Sequence, residues 1–445
     1  MKISFFLVIL RAIKKKMTKL KILLFFMLTI VSFAQNEIKI NAKLLDNGKK
    51  IEVIQEIILK NTSTSILTEI ALNDWNHAYS SKKSALASKF SDEFNRSFHL
   101  SKKADRGETQ IFEITNQFSK PLSFYRNKNQ VDIVRVKLEN PLQIGETTTL
   151  IIKYQITLPN TKFTKFGYSE NKILLKNCFL TIAAFDTETQ SEENSDDLTS
   201  EISNYKINIQ HNNLFLTSDL DVVNHTNNTS QLTGNLRTNF FIALEKEISY
   251  EEFKNEKINV ITNLKTKDVP IYYKVLVIDK ITNYVAEKIG ASNQEKIMVS
   301  QEDYDREAFY GLNELPSFIS PFNDDFVFEL KFLKTYLNNY LAANLKINFR
   351  KDHWILEGIQ HYYIKKYIDE NYPEVKSFGK LSRLGILKKY KIINMNFSEQ
   401  FIYNYLLMAR RNIDQAVGTD KNTQIKFNEK IAGKLKSGLL LHYLN

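Results

Sequence analysis

Through much of the first half of the chain, apolar residues fall on every second position. Leu150, Ile152, Tyr154, Ile156 and Leu158 alternate with Ile151, Lys153, Gln155 and Thr157 up to Pro159. A period of two puts one strand face against a core and the other toward water. Val134, Val136 and Leu138 alternate with Arg135 and Lys137, Tyr205, Ile207 and Ile209 repeat the pattern, and residues 51–60 form an apolar run between Gly and Asn punctuation. Residues 37 to about 249 therefore predict a largely antiparallel β domain. After about Tyr250 the period changes. Short strands are expected at 258–261 and 296–300, with a helix over 270–289 between them. Phe326, Leu330, Leu333, Leu337, Leu341 and Leu345 recur at three- and four-residue spacing, which predicts an amphipathic helix of about 20 residues, roughly 30 Å long. A second helix is expected from Asp352, as N-cap, to Asp369, closed by Asn371-Tyr372-Pro373. The apolar residues of 401–411, also at helical spacing, read as core.

A length of 445 residues fits two or three domains. With 43% hydrophobic and 12% aromatic residues the chain can build sizeable cores, and with 13 Gly and 7 Pro it is neither collagen-like nor low-complexity. The formal net charge of +11 suggests a polyanion partner until the charge is located. Residues 1–34 carry seven Lys and Arg and no acid, and residues 321–445 carry 20 basic against 12 acidic residues, which leaves −4 for residues 35–320. Without the first 34 residues the chain is near +4, with an acidic front and a basic helical back. The basic half has no zinc module and no glycine-hinged aromatic sheet motif, so nucleic acid is not an expected partner.

From Met17 the leader reads as a secretory signal: Lys19 and Lys21, an apolar run over 22–31, then Ser32-Phe33-Ala34 with small residues where a signal peptidase needs them. The expected mature start is Gln35, with residues 1–16 a spurious upstream extension. The apolar run is well short of the roughly 20 residues that span a bilayer. These features predict export to a bacterial periplasm or beyond the cell, with no integral membrane span after cleavage. The single cysteine, Cys178, excludes an intramolecular disulfide and reads as a small buried hydrophobe. Residues 186–201 hold seven acids and no base; such like-charge runs repel, and this one reads as a solvated, extended loop.

Seven histidines are present, none in an H-E-x-x-H arrangement, and there is no glycine-rich phosphate loop and no G-x-S-x-G elbow. The compact polar constellation is His353, Glu357 and His361, spaced by four on one predicted helix face. Eight residues of helix rise about 12 Å, too far for all three to reach one zinc through bonds of about 2 Å. At most two could share an ion, and the two histidines are expected in structural or surface roles.

The stretch from Arg350 to Tyr362, R-K-D-H-W-I-L-E-G-I-Q-H-Y, resembles the W-L-N-E-G-F-A-x-Y segment of the gluzincin aminopeptidases, the membrane alanyl aminopeptidase family. That resemblance puts Glu357 in the position of the family's third zinc ligand. Gly311-Leu312-Asn313-Glu314-Leu315 resembles the family's G-x-M-E-N motif, which implies that Gly311 and Glu314 bind substrate, the glutamate through the free amine. Pro141-Leu142-Gln143-Ile144-Gly145-Glu146 and the strand after it resemble the family's saddle-shaped β domain. The departures are equally specific. The family spacing back from Glu357 puts the H-E-x-x-H positions at Lys334, Thr335 and Asn338, where both histidines and the general base are replaced; a second frame, Phe328-Glu329-Leu330-Lys331-Phe332, keeps a glutamate but no histidine. A catalytic zinc needs three protein ligands and a water. In the first frame the Lys334 ammonium is expected to fill the cation position beside Glu357, or to lie on a solvated face. Tyr403 and Tyr405 are available for the family's transition-state tyrosine, with no flanking motif to select either.

The expected fold class is α+β: an N-terminal antiparallel β saddle over 35–249, then a thermolysin-like mixed α/β to helical domain over 250–445, short for the family and so truncated at its C-terminus if the likeness extends that far. The expected function is an exported aminopeptidase-like protein that has lost zinc and catalysis, with no cofactor, and binds a peptide or protein partner in the interdomain cleft. The alternatives are an active zinc aminopeptidase with unorthodox ligands such as Glu357 and His361, and a structural or adhesive envelope protein.

Overall fold

The computed structural model describes residues 35–185, 191–265, 269–312, 320–383 and 391–444; the leader lies outside the described residues. The alternation at 150–158 becomes the strand Thr147–Thr157, with Leu150, Ile152, Tyr154 and Ile156 all buried. It lies in a seven-stranded sheet whose order is Asp221–His225, Thr229–Arg237, Ser203–Gln210, Asn36–Leu45, Lys50–Lys60, Thr147–Thr157 and Glu108–Asn116. Every neighbouring pair is antiparallel except Asn36–Leu45 with Ser203–Gln210, where Ile38 sits opposite Tyr205 and Ile40 opposite Ile207 in parallel register. Two four-stranded sheets, one centred on Leu67–Asn73 and Gln130–Leu142 and the other on Lys172–Lys176 and Phe241–Glu245, close over it around one aliphatic core. Cys178 is buried there as a free thiol, and burial pushes its pKa up.

Beyond Ser249 a three-stranded mixed sheet, Glu251–Lys254, Asn259–Thr262 and Lys296–Val299, underlies a second core built mainly by helices. Six helices position the site: α1 (Ala85–Asp92) in the β-rich part, then α2 (Ile271–Lys288), α3 (Asp324–Asn344), α4 (His353–Asn371), α5 (Glu399–Ala409) and α6 (Gly433–Leu444). The periodic leucines of 326–345 form α3, and Leu330, Leu333, Leu337 and Leu341 are all buried. Asp352 precedes α4 as expected, although its side chain makes no capping bond. The chain thus has the mixed α and β content that its patterning predicts.

Two expectations are corrected. Residues 401–411 are core only in part: on α5, Phe401 and Met408 are buried, but Ile402, Tyr403, Leu406 and Leu407 are each 37 to 45% exposed. The acidic run is not a solvated loop where it is described. Glu192 and Asp197 are buried, and Asp196 is half-buried. Asp196 meets Arg306 at 2.6 Å, Asp197 meets Lys421 at 2.7 Å and Glu192 meets Arg350 at 3.2 Å. Burial, with Asp197 alongside, pushes the Glu192 carboxyl up to about 8 against the opposing pull of Arg350. Like charges repel only until opposite charges face them, and the basic residues of the second half supply that face.

Candidate functional site

The α3 and α4 helices lie side by side in a fixed register. Gln360 Nε2 donates to the Lys334 carbonyl at 2.9 Å, and further along Tyr367 Oη donates to Glu329 Oε1. Of the two frames, the first is thus the one that puts α3 residues in the layer of Glu357. Glu329 is buried elsewhere, among Tyr273, Tyr367 and Lys280, whose Nζ is 2.8 Å away.

A second helix pair brings the decisive side chain. A Cβ added to Gly358 on α4 would stand 3.1 Å from Ser437 Cβ, and one added to Gly438 on α6 would stand 2.8 Å from His361 Cβ. The two glycines let α4 and α6 approach backbone to backbone. That approach carries Lys434, one turn before Gly438, up to Glu357. Its Nζ lies 3.4 Å from Glu357 Oε1 and 3.2 Å from Glu307 Oε2. Lys434 and Glu357 are both buried. Lys434, backed by Lys334, holds the Glu307 carboxyl well below the usual range although burial opposes it. For Lys434 itself, Glu307 and Glu357 outweigh burial and keep the ammonium above its ordinary pKa.

Lys334 is brought into the same layer, but its Nζ donates to the Glu307 carbonyl and makes no ion pair with Glu357. The expected Lys334–Glu357 pair is replaced by Lys434–Glu357, because α6 reaches the carboxylate first. Burial pushes the Lys334 ammonium down to about 8, with Glu307 and Glu357 offsetting only part of the cost. Thr335 Oγ1 bonds back to the Lys331 carbonyl at 2.9 Å, and Asn338 Nδ2 donates to Asn339. Neither bond involves Glu357. Gly311 has φ +80° and packs near Gln400; Glu314 lies outside the described residues.

Both helix histidines are tied to backbone carbonyls. A carbonyl only accepts, so His353 carries its proton on Nδ1, which donates to the Arg350 carbonyl at 3.0 Å, while Nε2 accepts from Gln424 at 3.2 Å. His361 Nδ1 donates to the Glu357 carbonyl at 2.9 Å. Burial and then Lys434 push its imidazolium pKa down to about 3, so the ring is neutral. Among the described residues no three His, Cys, Asp or Glu side chains converge as a metal site. In this arrangement the Glu357 carboxylate faces the Lys434 ammonium, and His353 Nε2, 3.9 Å from Glu357 Oε2, accepts from Gln424.

Above this layer lies a cavity of about 420 Å³ between the two cores. The α1 residues Leu86 and Phe90 and the nearby Phe163 wall one side, Phe309, Phe401 and Leu435 the other, and Lys334, His361 and Gln400 also line it. The sequence motifs pointed to Glu357, Gly358 and Lys334 but missed Glu307 and Lys434. The available signal was a lysine inside the apolar, small-residue run Ile431-Ala432-Gly433-Lys434-Leu435, a costly place for a charge unless it is paired.

No protein-family model and no curated protein matches the sequence. Solved structures do match. A point mutant of the M1 zinc metallopeptidase from Deinococcus radiodurans bound to a Tyr-Ser-Ala substrate superposes with a TM-score of 0.52 at 10% identity, over 92% of this chain and 81% of that one. The same mutant, in a second structure, gives 0.50 at 10% identity over the same shares. Native yeast LTA4 hydrolase gives 0.47 at 10% identity, over 93% of this chain and 59% of that one. At such identity the likeness is one of fold: this chain folds as the M1 metallopeptidases do. Among the described residues no helix is long and apolar enough to cross a membrane.

Proposed function

We propose that this protein is a peptidase-fold binding protein, in which Lys434 has replaced the metal and a peptide or protein segment is held in the cleft without being hydrolysed. The observation that carries the proposal is the Lys434 ammonium lodged between Glu307 and Glu357 at 3.2 and 3.4 Å. An ammonium supplies the positive charge that the carboxylates need, yet it has no open coordination position and cannot lower the pKa of a bound water as a metal does. The cavity of about 420 Å³ falls within the size of a small-ligand site, and the fold is shared with a metallopeptidase whose structure holds a tripeptide. With this goes a division into a β saddle over 35–249 and a peptidase-like unit over 250–445, and export after removal of residues 1–34. N-terminal sequencing of the exported chain is expected to begin at Gln35.

Metal analysis of the purified chain after zinc incubation and desalting tests the proposal. Far less than one equivalent of zinc and no release of an N-terminal residue from peptides are expected. Stoichiometric zinc, with aminopeptidase activity abolished by Glu357→Ala, would overturn it.

A further inference from the structure

At the floor of the cleft are donors that the protein's own acceptors leave unused. Lys334 is 7% exposed, and its bond to the Glu307 carbonyl engages one of three ammonium donors. Among the described residues no carboxylate lies within ion-pair reach of it. Gln400, on α5, is 9% exposed, and its buried Nε2 has no hydrogen-bond partner. Both residues line the same cavity. A buried donor without an acceptor is destabilising, and an oxygen brought in by a ligand relieves it. Glu307, which also lines the cavity, is already held by Lys434, as is Glu357 beside it.

We propose that the cleft floor is a carboxylate-binding subsite in which Lys334 and Gln400 take the carboxylate of a peptide, so that the protein selects its ligand by an acidic group and not by a free N-terminus. The proposal rests on the peptide-binding reading of the cleft. Lys334 supplies the charge, Gln400 a directional N–H, and the Phe309 and Phe401 rings an apolar wall for the side chain behind the carboxylate. The carboxylate can come from a C-terminus or from an Asp or Glu side chain.

Calorimetric titration of the full chain with four peptides tests it: Tyr-Ser-Ala, its N-acetylated form, its C-terminal amide, and the amide of Tyr-Ser-Asp. The N-acetylated acid is expected to bind as well as the free peptide, and the Tyr-Ser-Ala amide about tenfold or more weakly. Either Lys334→Met or Gln400→Leu is expected to reduce the affinity for the acid to that for the amide, with thermal melts verifying that each variant is folded. Binding of the Tyr-Ser-Asp amide at the level of the free acid would support the subsite and assign it to a side-chain carboxylate. If the Tyr-Ser-Ala amide binds as well as the acid, or N-acetylation abolishes binding, the carboxylate subsite falls while the peptide cleft stands. If none of the four peptides binds, both fall.

Discussion

Two lysines meet in one buried layer and contribute to stability with opposite signs. Lys434 touches two carboxylates, so Lys434→Met leaves the buried Glu357 without its counter-ion and takes from Glu307, 31% exposed, its nearest cation. Breaking a buried pair from one side costs about 3–5 kcal/mol, and that loss is expected in urea unfolding at pH 7. Lys334 is buried in the same layer, where Glu307 and Glu357 offset only part of the desolvation cost, and its folded pKa of about 8 lies below the ordinary value of 10.5. Below pH 8 the ammonium is charged in both states and the folded state bears the full desolvation cost. Between pH 8 and 10.5 the unfolded chain binds the extra proton, so stability rises with pH, by about 3 kcal/mol in all. Lys334→Met is therefore expected to equal or exceed the parent at pH 7, and to lose that advantage by pH 10.5. A stability gap between Lys334→Met and the parent that does not change between those pH values would refute the assignment. Glu357 was legible because its neighbours in sequence resemble a known segment. Lys434 was not, since nothing adjacent to it in sequence tells which distant carboxylate it will meet.

Among the elements, the α4–α6 contact decides where Lys434 ends up. Replacing a helical glycine by alanine gains about 1 kcal/mol of helix propensity in open space. At Gly438 the new methyl would stand 2.8 Å from His361 Cβ and 3.1 Å from the Tyr362 backbone nitrogen, atoms that cannot rotate away. Overpacking of that kind costs about 1–3 kcal/mol, so Gly438→Ala is expected to destabilise, and to do so by displacing Lys434 from Glu357. Gly418→Ala, with nothing within 4 Å of the added methyl, is the control and is expected to be neutral or stabilising. A Gly438→Ala variant as stable as the control would mean that the helices are not held by this contact. Elements were the most legible scale, because the periodicities behind Thr147–Thr157 and Asp324–Asn344 are local. The reading failed where the sign of a face depends on a neighbour. Leu406 and Leu407 have helical spacing yet remain exposed on α5, and Glu192, Asp196 and Asp197 have loop composition yet pair with Arg350, Arg306 and Lys421, Glu192 and Asp197 of them buried.

For the molecule as a whole, buried and half-buried ion pairs join the first half of the chain to the second. Acids from 192–197 pair with bases from the second half, and Lys176 in the first half returns the exchange by meeting Asp303 at 2.8 Å. The Arg306 side chain is 11% exposed, and those of Lys421 and Asp197 are 9% and 2% exposed, so separating the cores would leave charges that have lost their partners. Two hydrophobic cores would ordinarily melt as two calorimetric transitions. Here the unfolding of either one leaves unpaired charges on the surface of the other, and a single transition with matching calorimetric and van't Hoff enthalpies is expected. Because these pairs are shielded from solvent, 1 M salt should not divide the transition, as it would if surface charges joined the halves. The double variant Asp196→Ala, Asp197→Ala removes three ion pairs, those with Arg306, Lys176 and Lys421, and is expected to split the melt into two. A parent protein that already melts in two steps would show that the ion pairs decorate the interface and do not couple the cores. The cleft would then lie between two independently folding units, and its width would be set by the ligand.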